Sequence, residues 1–317
     1  MLLMSVIWVM GCSPPAVDDT NEGKESSSSD VIEGYASPSL WSIQQLEVAR
    51  AKGENVLLVD LRKTNEFAEG HLPGARRIWR EDIQSENYPY GGMAGEREMI
   101  EALMDSLGAT SQSQVIIYDA KGGCDAARFW WLLKSYGHPK AALLDGGWQA
   151  WVLSGRQVDT LMSERPITMD FRFSEPEQSI MWIKLDQMLE QFDDSSIVLL
   201  DTRSEEEYSG AQKKKGATRA GRIPRSVHYD WGNSVRMGQD WLLKPENELR
   251  NELEARGITP DKNIVVYCHT GVRSAHTTFV LRELLGFENV WNYDGSWTEW
   301  SYMTDLPIET DQEEPIN

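Results

Sequence analysis

The sequence has 317 residues, a formal net charge of −19 and only three cysteines. Its length and its 40% hydrophobic content fit one large or two ordinary globular domains. The acidity argues against nucleic acid as a partner, because phosphates demand a basic surface. The absence of a C-x-x-C pair argues against a disulfide framework and a structural zinc site. No apolar run approaches the ~20 residues of a membrane span.

The N-terminal region divides into an apolar segment and a polar one. Residues 1–11 are apolar and are followed at once by Cys12, whereas the next residues, to Gly34, are rich in Ser, Asp, Glu and Pro. That second stretch cannot bury enough apolar surface to fold, so we expect a disordered tether over 12–35.

This arrangement resembles a bacterial lipoprotein signal, with Val9-Met10-Gly11-Cys12 in the place of the lipobox. The resemblance implies that Cys12 carries lipid. It also implies that the protein is extracytoplasmic and periplasm-facing, held to a bacterial membrane by that anchor only. The sequence departs from the pattern in that no Lys or Arg precedes Cys12. The alternative is a frayed apolar N-terminus with a buried cysteine.

The rest of the chain repeats itself. The segment from Tyr118-Asp119 to Trp151 matches the segment from Tyr267-Cys268 to Trp300 at a constant offset of 149 residues. Upstream the match continues with an insertion of ten residues in the second copy. The repeat predicts two homologous domains, and the full division is a signal at 1–11, the tether, a first domain at 36–157, a linker at 158–179, a second domain at 180–310 and an acidic tail at 311–317.

Each copy alternates predicted strands and helices. Short apolar runs predict buried parallel strands, at Val56–Val59 and Val115–Tyr118 in the first copy and at Ile197–Leu200 and Ile264–Tyr267 in the second. Helical patterns between them end at Gly108 and Gly257, which suit left-handed C-caps. The alternation predicts an α/β fold, in which each domain is a parallel sheet flanked by helices. In such sheets ligands bind beyond the carboxyl ends of strands.

The loop that follows the strand ending at Tyr267 reads Cys268-His269-Thr270-Gly271-Val272-Arg273-Ser274. A thiol between a strand and a helix N-terminus is surrounded by backbone N–H groups, and Arg273 adds a permanent cation. These terms favour the thiolate, so the sequence predicts a lowered pKa for Cys268. We therefore predict that Cys268 is the nucleophile and that loop residues bind an anionic substrate, namely His269, Thr270, Gly271, Val272 and Arg273.

Taken together, the motifs resemble those of tandem-domain rhodaneses, which are sulfurtransferases. They are Asp-x-Arg followed by Glu, Gly-His-x-Pro-Gly-Ala, Cys-x-x-Gly-x-Arg and Asp-Gly-Gly/Ser-Trp. The resemblance implies a two-step reaction in which Cys268 takes sulfane sulfur as a persulfide and passes it on. The implied partners are a small anionic donor such as thiosulfate and a thiophilic acceptor such as cyanide. No metal or organic cofactor is implied.

Several alternatives stay open at this point. One is a non-catalytic sulfur carrier or scaffold module of the same family. Another is a phosphatase-like or arsenate-reductase-like activity, which the loop length disfavours, because those enzymes place five residues between cysteine and arginine and this loop places four. The donor also stays open between thiosulfate, 3-mercaptopyruvate and polysulfide, since Cys-His-Thr-Gly matches neither of the typical loop patterns; thiosulfate is favoured.

The first copy lacks the equivalent chemistry. Asp119 replaces Cys268 and Cys124 replaces Arg273. We therefore expect the first domain to be inactive and to close one side of a pocket between the domains. Cys124 is either a partly buried structural cysteine or a resolving thiol.

Three further arginines are candidates for substrate binding. Arg203 follows the first strand of the second copy and could instead form a structural ion pair. Arg219 and Arg222 lie beside the basic run 213–215, which is either a solvated loop or a patch that steers an anionic donor. Arg222 also stands where the family pattern has histidine. His269 could act as a base, although a preformed thiolate needs none.

Overall fold

The structure is a computed structural model that describes residues 35, 37–161, 167, 170–173 and 181–311. The predicted signal, the lipidation site Cys12, nearly all of the tether, most of the linker and almost the whole acidic tail lie outside these residues. Within the described part of the chain, no helix is long and apolar enough to cross a membrane.

The first copy is built around one parallel sheet of five strands. The strands are β1 (Leu40–Trp41), β2 (Val56–Asp60), β3 (Arg76–Arg77), β4 (Gln114–Tyr118) and β5 (Ala141–Leu144). They lie in the order β1-β5-β4-β2-β3. The helices are α1 (Ile43–Ala51), α2 (Thr64–Glu69), α3 (Arg97–Ser106), α4 (Cys124–Ser135) and α5 (Gly147–Leu153), with a 3-10 turn at Arg80–Ile83.

The second copy repeats this arrangement. Its strands are β6 (Trp182–Ile183), β7 (Ile197–Asp201), β8 (Val227–His228), β9 (Asn263–Tyr267) and β10 (Val290–Tyr293), in the order β6-β10-β9-β7-β8. Its helices are α6 (Leu185–Glu190), α7 (Glu205–Tyr208), α8 (Glu246–Glu254), α9 (Val272–Phe279) and α10 (Ser296–Tyr302); a π-helical turn, Val280–Leu284, extends α9. All strand pairs in both sheets are parallel. The predicted α/β class and the tandem repeat are confirmed.

The helices α4 and α9 pack against each other and join the two copies. At their contact Trp130 and Phe279 are fully buried, and their rings meet edge to face at 4.9 Å. Because each helix begins directly after the central strand of its own sheet, this packing brings the loops after β4 and β9 to the same interface.

Polar side chains tie each copy to the loop of the other. Arg128 of α4 donates a hydrogen bond to the carbonyl of Gly271 at 3.3 Å, and His276 of α9 donates one to the carbonyl of Gly122 at 3.1 Å. The two acceptors, Gly122 and Gly271, occupy equivalent positions of the repeat. The loop that carries Cys268 is therefore held partly by the first copy.

Candidate functional site

The loop after β9 is a tight turn that only glycine allows. Gly271 has a φ of 74°, and a Cβ at this position would lie 2.7 Å from both the Arg128 guanidinium and the Asp294 carbonyl oxygen. The backbone can reverse here without a clash because glycine has no Cβ. The turn aims successive N–H groups toward the side chain of Cys268.

Ser296 fixes the loop from the opposite side. Its hydroxyl oxygen accepts hydrogen bonds from the N–H groups of Cys268 and Gly271, both at 3.1 Å, and its hydroxyl donates to the carbonyl of Tyr293. Ser296 belongs to the Asp-Gly-Ser-Trp motif, whose role the sequence alone does not reveal. The motif positions the nucleophile loop.

Cys268 is fully buried, and its surroundings favour the thiolate. Burial opposes ionisation, but the Arg273 guanidinium, the hydroxyl and N–H of Ser274 and the N–H of Thr270 outweigh it, so the pKa of Cys268 is lowered. The Ser274 hydroxyl lies 3.5 Å from the sulfur. The direction of this shift agrees with the expectation from the sequence.

Arg273 is held rigidly by Glu207. Two guanidinium nitrogens of Arg273 lie 2.6 and 2.9 Å from the two carboxylate oxygens of Glu207. Burial would raise the pKa of Glu207, but Arg273 above all, with Lys214 and Arg203, lowers it to about 2. A bidentate pair of this kind fixes the direction of the guanidinium as well as its charge.

The equivalent loop of the first copy shows where an anion sits in this backbone arrangement. The carboxylate of Asp119 accepts four backbone hydrogen bonds, at 2.6 to 3.0 Å, from the N–H groups of Lys121, Gly123, Asp125 and Ala126. The corresponding N–H groups of the second loop belong to Thr270, Val272, Ser274 and Ala275. The carboxylate oxygens of an aspartate stand one atom beyond the position of a cysteine sulfur. That is the position of the outer sulfur of a cysteine persulfide.

A cavity of about 430 Å³ opens beside the Cys268 loop, between the two copies. The second copy lines it with His269, Thr270, Val272 and Arg273 of the loop and with Lys214, Lys215, Gly216, Trp231 and Thr298. The first copy contributes Arg80, Ile83, Gln84, Gly91, Gly92, Lys121, Cys124 and Arg128. No carboxylate is found among these lining residues. The cavity is therefore strongly cationic in a chain whose net charge is −19.

His269 is a positioning residue in this arrangement. Its Nε2 donates a hydrogen bond to the carbonyl of Lys215 at 2.9 Å, and the side chain is almost fully buried. Burial lowers the pKa of His269, which keeps the ring neutral. The imidazole ring therefore connects the insertion of the second copy, which contains Lys215, to the loop that carries Cys268.

The three other predicted arginines do not line the cavity. Arg203 is buried, is paired with Asp201 and stacks 4.7 Å above the ring of Trp297. The guanidinium of Arg219 donates hydrogen bonds to main-chain carbonyls at the C-terminal end of α10 and just beyond it. The bond to the carbonyl of Met303 is 2.7 Å long. Because carboxylate and carbonyl oxygens already surround these side chains, the structure gives both of them supporting roles.

Arg222 is occupied in a similar way at the C-terminal end of the second copy. Its guanidinium lies 2.8 Å from the carboxylate of Asp311 and 3.4 Å from that of Glu309, and it stacks over Tyr208. It stabilises the return of the chain after α10. The predicted contact between Arg222 and substrate has no support in this geometry.

The first copy does line one side of the cavity, as expected, but sequence reasoning did not name the side chains that it contributes. Lys121 occupies the place of Thr270 in the repeat, so the alignment of the two loops carried this signal. Cys124 also lines the cavity, but burial, Asp125 and Asp119 raise its pKa well above the ordinary value and keep it a thiol. In the described part of the chain, no group of three or more His, Cys, Asp or Glu side chains is arranged to hold a metal ion.

Comparison with known proteins shows the family. The rhodanese-like domain model matches residues 42–154 and 184–302. The sulfur carrier protein TtuD of Thermus thermophilus is 35% identical over 301 residues, which cover 88% of this chain and all of that protein. The thiosulfate sulfurtransferase of Azotobacter vinelandii is 33% identical over 264 residues, which cover 82% of this chain and 93% of that one.

Solved structures share the fold at lower identity. Wild-type EanB superposes with a TM-score of 0.79 at 21% identity, over 87% of this chain and 70% of that one. YnjE superposes with a TM-score of 0.76 at 22% identity, over 87% of this chain and 69% of that one. With two matched domains and relatives above 30% identity over most of its length, the chain belongs to the rhodanese family and is a tandem-domain sulfurtransferase of that family.

Proposed function

We propose that the protein moves the outer sulfur of thiosulfate to a thiophilic acceptor, such as cyanide, through a persulfide on Cys268. The observation that carries the proposal is a buried cysteine with a lowered pKa beside a cavity that no carboxylate lines. A thiolate is a far better nucleophile than a thiol, and the cationic walls favour a dianionic donor.

In the first step, the Cys268 thiolate attacks the outer sulfur of thiosulfate. A new S–S bond forms to Cys268 while the bond between the outer and inner sulfur atoms breaks, and sulfite leaves with the bonding electron pair. The persulfide anion and sulfite together carry the three negative charges that thiolate and thiosulfate brought. No proton, oxidant or cofactor enters this balance.

In the second step, the acceptor attacks the outer sulfur of the persulfide. With cyanide, a C–S bond forms, the S–S bond breaks, and thiocyanate leaves while Cys268 returns to the thiolate. The loop N–H groups would hold the outer sulfur between the steps, as those of the first loop hold the Asp119 carboxylate. Arg273 supplies a fixed positive charge throughout.

Steady-state turnover of thiosulfate with cyanide, followed as thiocyanate, tests this proposal. Wild-type protein should turn over, whereas Cys268→Ser should lose at least about a thousandfold in rate, because a hydroxyl cannot carry sulfane sulfur. The matched control is Cys124→Ser, which removes a thiol that lines the cavity and should keep most of the activity. Equal rates for Cys268→Ser and wild type would refute the assignment of Cys268.

The sulfur carrier alternative keeps the first step and changes the second. It is favoured by the likeness to a relative that is named a sulfur carrier protein. In that case thiosulfate would load Cys268, but small acceptors would unload it slowly, and a protein thiol would do so quickly. Measuring loading and unloading separately distinguishes the two readings.

The location proposed for the protein rests on residues 9–12, which lie outside the described part of the chain. A lipid on Cys12 would anchor the two domains to a bacterial membrane, facing the periplasm. Cys12→Ala should then move the protein from the membrane fraction to the aqueous fraction. Continued sedimentation with membranes would contradict the anchor.

A further inference from the structure

We propose that the loop that lost the nucleophile has become part of the donor site: its Lys121 binds the anionic group of the sulfur donor. The inference rests on the proposed function and deepens it, because it assigns donor selection to the first domain. It rests on which cationic side chains line the cavity and on which of them are paired with carboxylates.

Lys121 lines the cavity from the first copy, whereas the loop that carries Cys268 lines it from the second copy. It lies in the first-copy loop between Asp119 and Gly122, and its side chain is exposed. The two copies approach closely here, since a Cβ on Gly92 would lie 2.6 Å from the Cβ of Thr270. Lys121 therefore belongs to the wall of the same cavity that His269 and Thr270 line.

Asp119 forms no ion pair with the side chain of Lys121. The Asp119 carboxylate accepts four backbone N–H bonds, which satisfy both of its oxygens. The next carboxylate along the loop, Asp125, is paired with Arg80, whose Nε lies 2.6 Å away. The backbone N–H groups of the first loop therefore bind the Asp119 carboxylate, and the side chain of Lys121 forms no ion pair with it.

The cavity contains cations of two kinds. Three guanidinium groups are already paired, Arg80 with Asp125, Arg128 with Asp294 and Arg273 with Glu207. In contrast, the ammonium groups of Lys121, Lys214 and Lys215 lie within 4.0 Å of no carboxylate oxygen in the described part of the chain, although the charge of Lys214 acts at longer range on Glu207 and that of Lys121 on Asp125. One of these unpaired ammonium groups comes from the first copy and two come from the insertion of the second copy.

Three unpaired ammonium groups around one cavity repel each other, and an anion between them relieves that repulsion. Positive charge in the cavity also favours the transfer step, because it reduces the repulsion between the Cys268 thiolate and a dianionic donor as they approach each other. Lys214 and Lys215 approach the donor from the side of the nucleophile, while Lys121 reaches it from across the interface. A donor without charge gains nothing from Lys121.

Lys121→Gln tests this assignment with two donors, thiosulfate and the uncharged dimethyl trisulfide. The variant should raise KM for thiosulfate about threefold to tenfold, as expected for one partly screened charge, and leave kcat nearly unchanged. Its kcat/KM for dimethyl trisulfide should equal that of wild type. Lys121→Arg should restore the low KM for thiosulfate, because it restores the charge.

Lys52→Gln is the matched control, since it removes one exposed lysine charge from the first copy away from the cavity. An unchanged KM for thiosulfate in Lys121→Gln, or an equal loss with both donors, would overturn the inference while leaving sulfur transfer intact. Wild-type protein that moves sulfur from neither donor would instead contradict the proposed function, and the inference would fall with it.

Discussion

The loops after β4 and β9 use the same backbone turn for opposite purposes. In the first loop Asp119 places a permanent carboxylate against four N–H groups, so the anion site is filled by the chain itself. In the second loop the side chain of Cys268 ends one atom before the equivalent site. The outer sulfur of a persulfide on Cys268 can occupy that site. The residue at the end of the strand therefore decides whether the chain itself fills the anion site of the loop.

The two copies differ again at the far end of the loop. In the second copy Arg273 and Glu207 form a buried bidentate pair. In the first copy Cys124 stands in the place of the arginine, and Glu66 turns back to accept a hydrogen bond from the N–H of Lys63 at the start of α2. The glutamate is kept in both copies, but only the copy with a thiolate to stabilise has the cation.

The largest structural effect is expected from Asp119→Ala, because four N–H groups, two of them buried and two partly buried, then lose their acceptor. Unsatisfied buried donors of this kind should lower the free energy of unfolding by about 3 kcal/mol in total. Urea unfolding measures the change, and the exposed Asp193→Ala is the control that should leave stability unchanged. Folded Asp119→Ala should still transfer sulfur, since Cys268 lies in the other loop. Wild-type stability in Asp119→Ala would break the comparison between the loops.

A smaller, pH-dependent effect is expected from His276, which links α9 to the first loop. Burial lowers the pKa of His276 to about 4, against an ordinary value of 6.5, and Asp119 and the Gly122 carbonyl only partly oppose this. The unfolded chain therefore binds the proton more readily, so this residue's share of stability is complete above about pH 6.5 and is lost as the pH falls toward 4. Between about pH 7.5 and about pH 5 the loss should be about 2 kcal/mol.

His276→Gln isolates this share. Glutamine can donate to the Gly122 carbonyl and does not titrate, so its stability should fall less than that of wild type over the same pH range. His138 of the first copy, whose pKa burial also lowers to about 4, is unchanged in both proteins and contributes equally. If the free energy of unfolding changed with pH by the same amount in wild type and in His276→Gln, the role assigned to His276 would be contradicted.

The fold could be predicted because the repeat makes every motif appear twice. The glycines that end α3 and α8 have positive φ values, 70° at Gly108 and 76° at Gly257, as their positions after the helical patterns indicated. The strand ending at Tyr267 is likewise observed, and it places Cys268 at the start of the loop. Local sequence determines these features, so the sequence alone is sufficient for them.

The sites between elements could not be predicted in the same way. Glu207 pairs with Arg273, which lies much later in the same copy. Lys121 reaches the cavity only because α4 packs against α9. The ion pair depends on how α7 and α9 pack within the second copy, and the place of Lys121 depends on how the two copies dock. Spacing along the chain carries no information about either.

The central claim is that the second loop carries sulfur and the first loop does not. Peptide mass mapping after treatment with thiosulfate and removal of excess donor measures this directly. We expect one added sulfur atom on the peptide that contains Cys268 and an unmodified peptide around Cys124. An added sulfur on Cys124, or on neither cysteine while turnover proceeds, would contradict the account.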